Sequence, residues 1–434
     1  MNLLVTNTRN TQAYSIIRAL RPHARKIAAT MEGDNRLAAR LSHAANSRLV
    51  DKRYYTPSPA EDWREGRIQR ENTEKEESYI QTVLQICEAE KIDTIFPSFD
   101  PQIYVFAKNK ERLEKMGILI PIPDYETVII PLDKYRTILA AQEVEFPCPK
   151  TYLPESGNDL RRIVAELGFP LVVKPRFTSG GRGTSIVRDF GELSAKIQQS
   201  WSGPSPAMVQ EYIPGTEKQQ FYLVLDKTGD LKMSFCPKTH RLFDRLYRNS
   251  SAASESSLPH PMSAEAAGVA RRMGWWGSIT LQTKVDPRDG LPKLLEANPR
   301  LGHHLWYRTA VAINEPLMCL QIAREATVAP IESYPIGTMF LSPIEDVLSF
   351  GFGLLDRWIY TLRTRLLAAR SLDPLSVPPS CKELFQSYGR TYFNRQDKSF
   401  DPYFTNCRQD PVVSFLWWLK FSYQVMSATK HLGR

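Results

Sequence analysis

Residues 171–185 read Leu-Val-Val-Lys-Pro-Arg-Phe-Thr-Ser-Gly-Gly-Arg-Gly-Thr-Ser. The apolar start predicts a buried strand that ends near Lys174, and the three glycines predict a loop. Glycine lets a backbone approach a ligand closely and offer it N–H groups, and a lysine adds a positive charge for phosphate oxygens. The lysine precedes the glycines, so this is not the G-x-x-x-x-G-K-[ST] phosphate loop. Alone, the stretch fits either a nucleotide-binding loop or a glycine-rich hairpin.

A second candidate segment follows at residues 208–217, Met-Val-Gln-Glu-Tyr-Ile-Pro-Gly-Thr-Glu. The pattern predicts a strand that runs into a Pro-Gly turn, with carboxylates at Glu211 and Glu217. A strand edge presents backbone N–H and C=O groups that match an adenine edge. Carboxylates accept hydrogen bonds from ribose hydroxyls. The alternative is an ordinary strand with solvated acids.

The third segment, residues 278–300, predicts a hairpin of two strands. Glu296 and Asn298 are two residues apart in the second strand, so both side chains leave the same face, and we expect Gln282 of the first strand to join them. Carboxylate and amide oxygens suit Mg²⁺, and Arg300 continues the face toward a transferred phosphoryl group. Because an unpaired buried charge is costly, this face is better explained by function than by packing.

These segments, in this order, resemble the ATP-grasp superfamily, in particular the carbamoyl-phosphate-synthase-like and carboxylate–amine ligase members. The motifs that carry the resemblance are Asp133-Lys134, Val173-Lys174-Pro175, the loop Gly180-Gly181-Arg182-Gly183, Gln210 to Glu217, and Glu296 to Arg300. The resemblance covers residues 121–335 and implies an ATP-grasp domain there, with a lid subdomain at about 165–225. None of the motif positions is replaced, which argues against an inactive relative.

The resemblance also implies roles for individual residues. The implied nucleotide contacts are phosphate binding by Lys134 and Lys174, a lid at Gly180, Gly181 and Gly183, an adenine hinge at Glu211, Tyr212 and Ile213, and ribose binding by Glu217. The implied metal ligands are Glu296, Asn298 and Gln282, for Mg²⁺ or Mn²⁺. Arg300, Lys174 and Asn298 are the implied catalytic residues.

The implied reaction joins a small-molecule carboxylate to an amine in two steps, through an acyl phosphate, with release of ADP and phosphate. Phosphoryl transfer asks mainly for positioning and charge neutralisation. Two other functions stay open: a nucleotide-binding scaffold or adaptor at a membrane surface, and a biotin-carboxylase-type subunit. The chain has no A-M-K-M biotinyl segment, which ranks the latter low. The acid, the amine and the oligomeric state are not readable from the sequence.

Residues 1–120 alternate strand and helix patterns, which favours a doubly wound parallel sheet. The predicted elements are strands at 3–6 and 94–96 and helices at 13–20, 79–89 and 105–115. Such an α/β unit resembles the Rossmann-like domain that precedes the ATP-grasp domain in these families. Ligands of parallel sheets bind beyond the carboxyl ends of the strands, so the loops Asn7–Arg9 and Ser98–Asp100 are candidate substrate contacts, with ordinary turns as the alternative.

Four further side chains are weaker candidates for substrate contact. His303 and His304 follow the hairpin motif, and packing histidines are the alternative. Arg241 and Arg245 match carboxylate geometry, and a solvated basic helix is the alternative.

Residues 336–434 predict a helical, aromatic-rich C-terminal region. Phe352, Leu355, Ile359, Leu362 and Leu366 recur at helical spacing, bordered by Arg363, Arg365 and Arg370. A second helix is predicted to begin at Asp410-Pro411 and to carry Trp417 and Trp418. Basic flanks and tryptophans suit a membrane surface, whereas packing on the enzyme body or on a protein partner through residues 350–434 is the favoured alternative.

Composition excludes several classes of protein. The 434 residues carry a net charge of +9 without a basic block, which argues against a nucleic-acid partner. The six cysteines are scattered with no C-x-x-C spacing, so reduced thiols are expected rather than disulfides or structural zinc. No signal peptide or membrane-spanning segment is evident, and we therefore expect a cytoplasmic protein. If the C-terminal region binds lipid, we expect the protein to be peripheral on the inner face of the membrane.

Overall fold

The computed structural model describes residues 1–33, 39, 42–59, 71–178, 181–201, 206–243, 250–367, 380–393, 397–401, 410–416 and 418–419. Four residues named above lie outside these ranges: Gly180, Arg245, Arg370 and Trp417. At Arg363 and Arg365 the backbone is described and the side chains are not.

The first unit is a parallel sheet of four strands in the order β3-β2-β1-β4. Its elements are β1 (Asn2–Val5), α1 (Thr11–Leu20), β2 (Lys26–Glu32), β3 (Lys52–Thr56), α2 (Glu74–Glu90), β4 (Thr94–Phe96), α3 (Asp100–Lys108) and α4 (Lys110–Glu114). The predicted strands and the first two predicted helices are confirmed, whereas the helix predicted at 105–115 is two helices that meet at Asn109. Strand order reverses between β1 and β4, so their carboxyl ends form the crevice where ligands of such sheets bind.

A small antiparallel sheet follows, in the order β5-β8-β6-β7. The elements of this part are α5 (Tyr125–Leu132), α6 (Lys134–Glu143), β5 (Thr151–Tyr152), α7 (Gly157–Leu167), β6 (Leu171–Pro175), β7 (Ser185–Val187), α8 (Phe190–Trp201) and β8 (Ala207–Glu211). Leu160, Ile163 and Ile197 of the two covering helices share one apolar cluster with Leu171 and Val173 of β6. That cluster covers one face of β6.

The next segment supplies a larger antiparallel sheet, in the order β10-β9-β13-β14. Its elements, in chain order, are β9 (Lys218–Leu225), β10 (Leu231–Phe235), β11 (Lys238–Phe243), β12 (Ser250–Glu255), α9 (Ser263–Arg272), β13 (Gly277–Val285), β14 (Pro292–Asn298), α10 (Leu305–Ala310) and α11 (Glu315–Ala323). Leu223 and Ile279 on its apolar face belong to the same buried cluster as Ile80 and Ile103 of the first unit. The first unit and this sheet therefore share a core.

The last described elements are β15 (Met339–Leu341), α12 (Pro343–Leu367), α13 (Cys381–Phe393) and β16 (Lys398–Phe400), and residues 411–416 are helical. A fourth sheet has the order β11-β12-β15-β16, so strands from both sides of residue 335 pair with each other. The domain boundaries at 120 and 335 stay predictions. Among the described residues, no helix has the length and apolarity to cross a bilayer.

The apolar face predicted for α12 packs on the body at the N-terminal end of the helix, and the side chains of Leu362 and Leu366 lie outside the described residues. Ile344, Leu348 and Phe352, at four-residue spacing, pack against the cluster built from β1 and α1, whereas Leu355 is exposed. Val413 of the helical residues 411–416 is buried in the same cluster. Both C-terminal helices thus pack on the first unit by one side each.

Candidate active site between two sheets

Lys174 is the centre of the candidate site. Strand β6 carries it into the space between the small sheet and β14, where its Nζ donates to the Leu295 carbonyl at 3.1 Å. The side chain is buried. Burial lowers the pKa of the Lys174 ammonium to about 7. The charge of Glu296 opposes this decrease, and the charge of Lys134 adds to it. An ammonium held out of water in this way is stabilised by any anion that binds beside it.

Lys134 reaches the same place from the first residue of α6. Asp133 caps that helix by accepting from the Tyr135 backbone N–H at 2.9 Å, and it also pairs with Arg176 just after β6. The Lys134 Nζ donates to the Thr178 carbonyl and lies 3.5 Å from Glu296 Oε2. The Asp-Lys motif therefore orients the lysine through the helix cap and brings it beside β14.

The hairpin β13–β14 presents the predicted metal ligands on one face. Gln282 lies directly opposite Glu296, and Thr280 directly opposite Asn298. Asn298 is buried, its Oδ1 accepts from Arg300 Nη2 at 3.1 Å, and its Nδ2 has no hydrogen-bond partner among the described residues. The packing of β6 and α6 on β14 brings together three residues that are far apart in sequence, Lys134, Lys174 and Glu296.

This donor set fits a hard cation that keeps ligands of its own. Glu296, Gln282 and Asn298 offer carboxylate and amide oxygens from neighbouring register positions, as Mg²⁺ prefers. Within the described part of the chain, no three His, Cys, Asp or Glu side chains form a metal-binding group. A site with one carboxylate suits a cation whose remaining ligands come from a phosphate and water.

The glycine loop is described at two of its three predicted positions. Gly181 and Gly183 have φ values of +69° and +73°, in the left-handed region that favours glycine. A Cβ at Gly183 would lie 2.8 Å from Pro175 Cγ, so glycine is also required there by the close approach to β6. Gly180 lies outside the described residues.

The predicted adenine hinge follows β8 and is fixed by the turn of the β13–β14 hairpin. The Glu211 carboxylate accepts from Arg288 at 2.6 Å, and Lys284 donates to the Ile213 carbonyl at 2.6 Å. The same ammonium lies 5.1 Å from the centre of the Tyr212 ring. Glu217 is exposed in the loop that precedes β9. The Glu211 side chain therefore holds the end of β8 against the turn of the hairpin.

The candidate substrate loops meet the hairpin at the carboxyl edge of the first sheet. The Asn7 backbone N–H donates to Glu32 Oε1 at 3.1 Å, and Ser98 Oγ donates to the Asn7 carbonyl at 3.1 Å. Burial raises the pKa of Glu32 to about 7. Arg300 Nε donates to Asp100 Oδ1 at 2.9 Å, which joins the first unit to the end of β14.

The weaker candidates separate into different roles. His303 Nδ1 lies 3.1 Å from Thr11 Oγ1, whereas His304 is buried, stacks on Tyr307, and has its pKa lowered well below the usual range by burial. Arg241 is on strand β11 rather than on a helix, and both its Nε and Nη2 donate to Asp346 at 2.6 Å. Arg241 is therefore buried and paired within the protein, so the alternative of a solvated basic helix is wrong for this residue.

Sequence reasoning missed Arg176 and Arg288, which hold motif residues in place, and named Asp100 only as part of a candidate substrate loop. Arg176, Asp100 and Arg288 each bind a motif side chain or its neighbour. The position of Arg176, between the predicted strand and the glycine loop, is the sequence signal that could have identified it. Asp100 is separated from Arg300 by 200 residues, and no sequence pattern links the two.

Comparison with known proteins identifies the central part of the chain. Residues 133–310 match the family described as carbamoyl-phosphate synthase L chain, ATP binding domain. The protein carries an ATP-grasp domain. Residues 72–121 match the family described as PylC-like, N-terminal domain, so the unit that precedes the ATP-grasp domain has a counterpart of its own.

Individual relatives agree with this assignment at low identity. The arginine-specific carbamoyl phosphate synthase large chain of Bacillus subtilis strain 168 is 25% identical over 50% of this chain and 21% of its own length. The chain thus spans about a fifth of that relative. Two solved structures share the fold. The biotin carboxylase of Campylobacter jejuni in complex with β,γ-ATP has a TM-score of 0.60 at 17% identity, and the match covers 78% of this chain and 74% of that one. The L-amino acid ligase of Bacillus licheniformis has a TM-score of 0.54 at 18% identity, and the match covers 76% of this chain and 77% of that one. The predicted α/β fold of an ATP-grasp protein is confirmed.

Proposed function

We propose that this protein is an ATP- and Mg²⁺-dependent ligase that activates a small-molecule carboxylate as an acyl phosphate and joins it to an amine. The observation that carries the proposal is the convergence of Lys134, Lys174 and Glu296 between β6, α6 and β14. Two buried lysines beside one carboxylate leave an excess of positive charge out of water, which suits a polyphosphate. The family match and the relatives that use ATP support the nucleotide.

In the proposed reaction, an oxygen of the substrate carboxylate attacks the γ-phosphorus of ATP, and the bond to the ADP oxygen breaks. The amine nitrogen then attacks the acyl carbon, the bond to the phosphate oxygen breaks, and the nitrogen loses a proton. Lys134 and Lys174 hold the phosphates, and Arg300 stabilises the charge on the transferred group. Mg²⁺, when bound by Glu296, Asn298 and Gln282, supplies further charge neutralisation on the phosphate oxygens. The amide product, ADP and phosphate account for all atoms.

The backbone after β8 is suited to the adenine base. Among the described residues, no group accepts a hydrogen bond from the Ile213 backbone N–H, whereas the Ile213 carbonyl accepts from Lys284. The segment is braced on its other side by Gly215, which approaches Pro287 closely. A rigid strand end with an available N–H is what recognition of a base edge needs. We assign Glu217, in the exposed loop that follows, to the ribose.

A screen for acid-dependent ADP release tests the function. Purified full-length protein is incubated with ATP and Mg²⁺ and a panel of amino acids and sugar acids, each with and without an amine, and products are identified by mass spectrometry. We expect one acid class to increase ADP release, and a product whose mass is that of acid plus amine minus water. The Glu296→Gln variant is the blank for contaminating ATPases. ADP release that no acid raises above this blank would refute the ligase.

We also propose that the C-terminal helices bring the enzyme to the inner face of a membrane as a peripheral protein. On α12, Val347, Leu355 and Trp358 are 64%, 43% and 61% exposed, and their spacing of eight and three residues places them on one side of the helix. Phe415 in the helical residues 411–416 is also exposed. Exposed apolar residues on a helix that packs on the body at other positions are what an interfacial helix presents to lipid. A protein partner on this surface is the alternative, and it is the outcome if lipid does not bind.

A further inference from the structure

Arg300 is held by contacts from two different parts of the molecule. Its Nε donates to Asp100 Oδ1 at 2.9 Å, and its Nη2 donates to Asn298 Oδ1 at 3.1 Å. Its guanidinium carbon lies 5.5 Å from the centre of the Phe99 ring. The remaining nitrogen, Nη1, makes no hydrogen bond with any described residue. The guanidinium is thus fixed on two of its edges, with one nitrogen still available.

The partner Asp100 belongs to the first unit and lies at the carboxyl end of β4. Its side chain is 4% exposed, and that of Arg300 is 12% exposed. A carboxylate so far out of water needs a cation, and a guanidinium so placed needs an anion. Asp100 is also the first residue of α3, where the partial positive charge of the helix end favours a carboxylate. The helix end therefore favours the charged carboxylate independently of Arg300.

We propose that Asp100 is a positioning residue: it holds Arg300 so that Nη1 faces the phosphoryl group during transfer. The inference rests on the proposed function of the site, and it assigns Asp100 a role through Arg300 rather than through contact with substrate. A free arginine side chain has many rotamers, and a carboxylate that fixes Nε removes that freedom before the reaction begins. The first unit thereby contributes to catalysis as well as to the shared core.

The alternative is that the ion pair only stabilises the contact between the two units. A structural pair and a positioning pair differ in what is lowered when the pair is lost. If Asp100 acts only through Arg300, its removal has no further effect on kcat once Arg300 is absent, because the effects of coupled residues are not additive. A purely structural pair would lower the melting temperature and the folded fraction and leave the kcat of the folded protein unchanged.

The test is a double-mutant cycle with Asp100→Ala, Arg300→Ala and both together, measured on full-length protein. Turnover is measured with the acid that most increases ADP release or, if no acid does, as uncoupled ATP hydrolysis. We expect Asp100→Ala to lower kcat by about 10- to 100-fold, the usual effect of losing a partner that orients a functional side chain, with little change in the KM for ATP. In the Arg300→Ala background, the same change should lower kcat less than twofold. Asp100→Asn, which keeps an oxygen acceptor for Nε, should restore most of the loss.

A matched control is Glu76→Ala, which breaks the buried ion pair of Glu76 with Lys108 in the first unit. It should lower the melting temperature and leave kcat of the folded protein unchanged. Equal losses from Asp100→Ala in both backgrounds, or an unchanged kcat in either single variant, would overturn the inference. Failure of the proposed function looks different, since wild-type protein would then show no acid-dependent ADP release at all.

Discussion

Lys174 is a charged side chain almost fully removed from water, with a carbonyl as its hydrogen-bond partner. Its pKa of about 7 means that the free protein loses this positive charge just above neutral pH. Bound phosphates favour the charged form and raise the pKa, so binding above pH 7 requires uptake of a proton. The affinity for ATP is therefore coupled to pH through one residue.

We predict that the Kd for ATP increases as pH rises through 7, by up to about tenfold per pH unit above it. Calorimetry between pH 6 and 9 would measure this. Lys174→Arg is the control, because arginine keeps its charge throughout this range and should give a flatter profile. If the Kd of the wild type rose with pH no more steeply than that of the arginine variant, Lys174 would not be the residue that couples ATP binding to pH.

Glu296 carries the only charge in the proposed metal-ligand set. Replacing it with glutamine keeps the size of the side chain and removes the charge, so turnover should fall by about 10²-fold or more. The melting temperature should change little. The exposed Glu265 on α9, changed to glutamine, serves as a control with the same chemistry away from the site. If Glu296→Gln kept turnover within a factor of two of wild type, the metal assignment would be wrong.

The motif residues were predictable from the sequence because charged and amide side chains are unusual at strand positions that are expected to be buried. A lysine at the end of an apolar strand and a Glu-x-Asn pair on one strand face both conflict with simple packing. Their contacts with Asp100 and Arg288 were not predictable, because a charged residue at the start of a helix or in a turn is ordinary. Only the packing of distant elements shows that each holds a site residue.

At the scale of elements, residues 181–184 between β6 and β7 are an exposed part of the site. The Thr184 N–H donates to the Gly181 carbonyl at 3.2 Å, and a Cβ at Gly181 would meet no atom within 4 Å. Such a segment opens at low free-energy cost, and bound phosphates would add acceptors for its N–H groups.

We therefore expect the amides of residues 181–184 to exchange with solvent more slowly when ATP and Mg²⁺ are present. Hydrogen exchange with mass spectrometry measures this, and the amides of residues 171–173 in β6 are the internal control, since strand pairing protects them in both states. Equal exchange of the loop with and without nucleotide would show that it does not close on the phosphates.

The C-terminal helix α12 shows what sequence periodicity can and cannot predict. The predicted face includes Phe352, which packs on the core, and Leu355, which is exposed although it lies seven residues after the packed Leu348 and so on the same face. Periodicity predicted the face, but it could not predict how far along the helix the body covers that face. The start of a helix after Asp410 was predictable, because Asp-Pro is a strong N-terminal signal and residues 411–416 are helical.

At the scale of the whole molecule, alternation of strands and helices was enough to predict the first unit, and motif order was enough to predict the ATP-grasp domain. The shared core was not predictable, because no local signature shows that Ile103 and Leu223 belong to one buried cluster. The fourth sheet joins β12 to β15 across the predicted boundary for the same reason.

The exposed side of α12 makes a prediction about the whole molecule. The protein should co-sediment with anionic vesicles and be released by high salt, since each basic residue near such a surface contributes about 1 kcal/mol, and salt screens it. The double change Leu355→Ser with Trp358→Ser should abolish co-sedimentation without lowering the melting temperature. Leu258→Ser, at an exposed leucine far along the chain from α12, is the control and should have no effect. Binding that survives the double change would place lipid contact elsewhere.

The central claim is that a substrate carboxylate attacks ATP, and oxygen transfer tests it most directly. With the accepted acid labelled by ¹⁸O in its carboxylate, the attacking oxygen becomes the bridging oxygen of the acyl phosphate and leaves with inorganic phosphate when the amine attacks. We predict that the phosphate formed with the amide carries one ¹⁸O atom from each molecule of doubly labelled acid, and that ADP carries none. Unlabelled phosphate formed together with the amide would contradict the account.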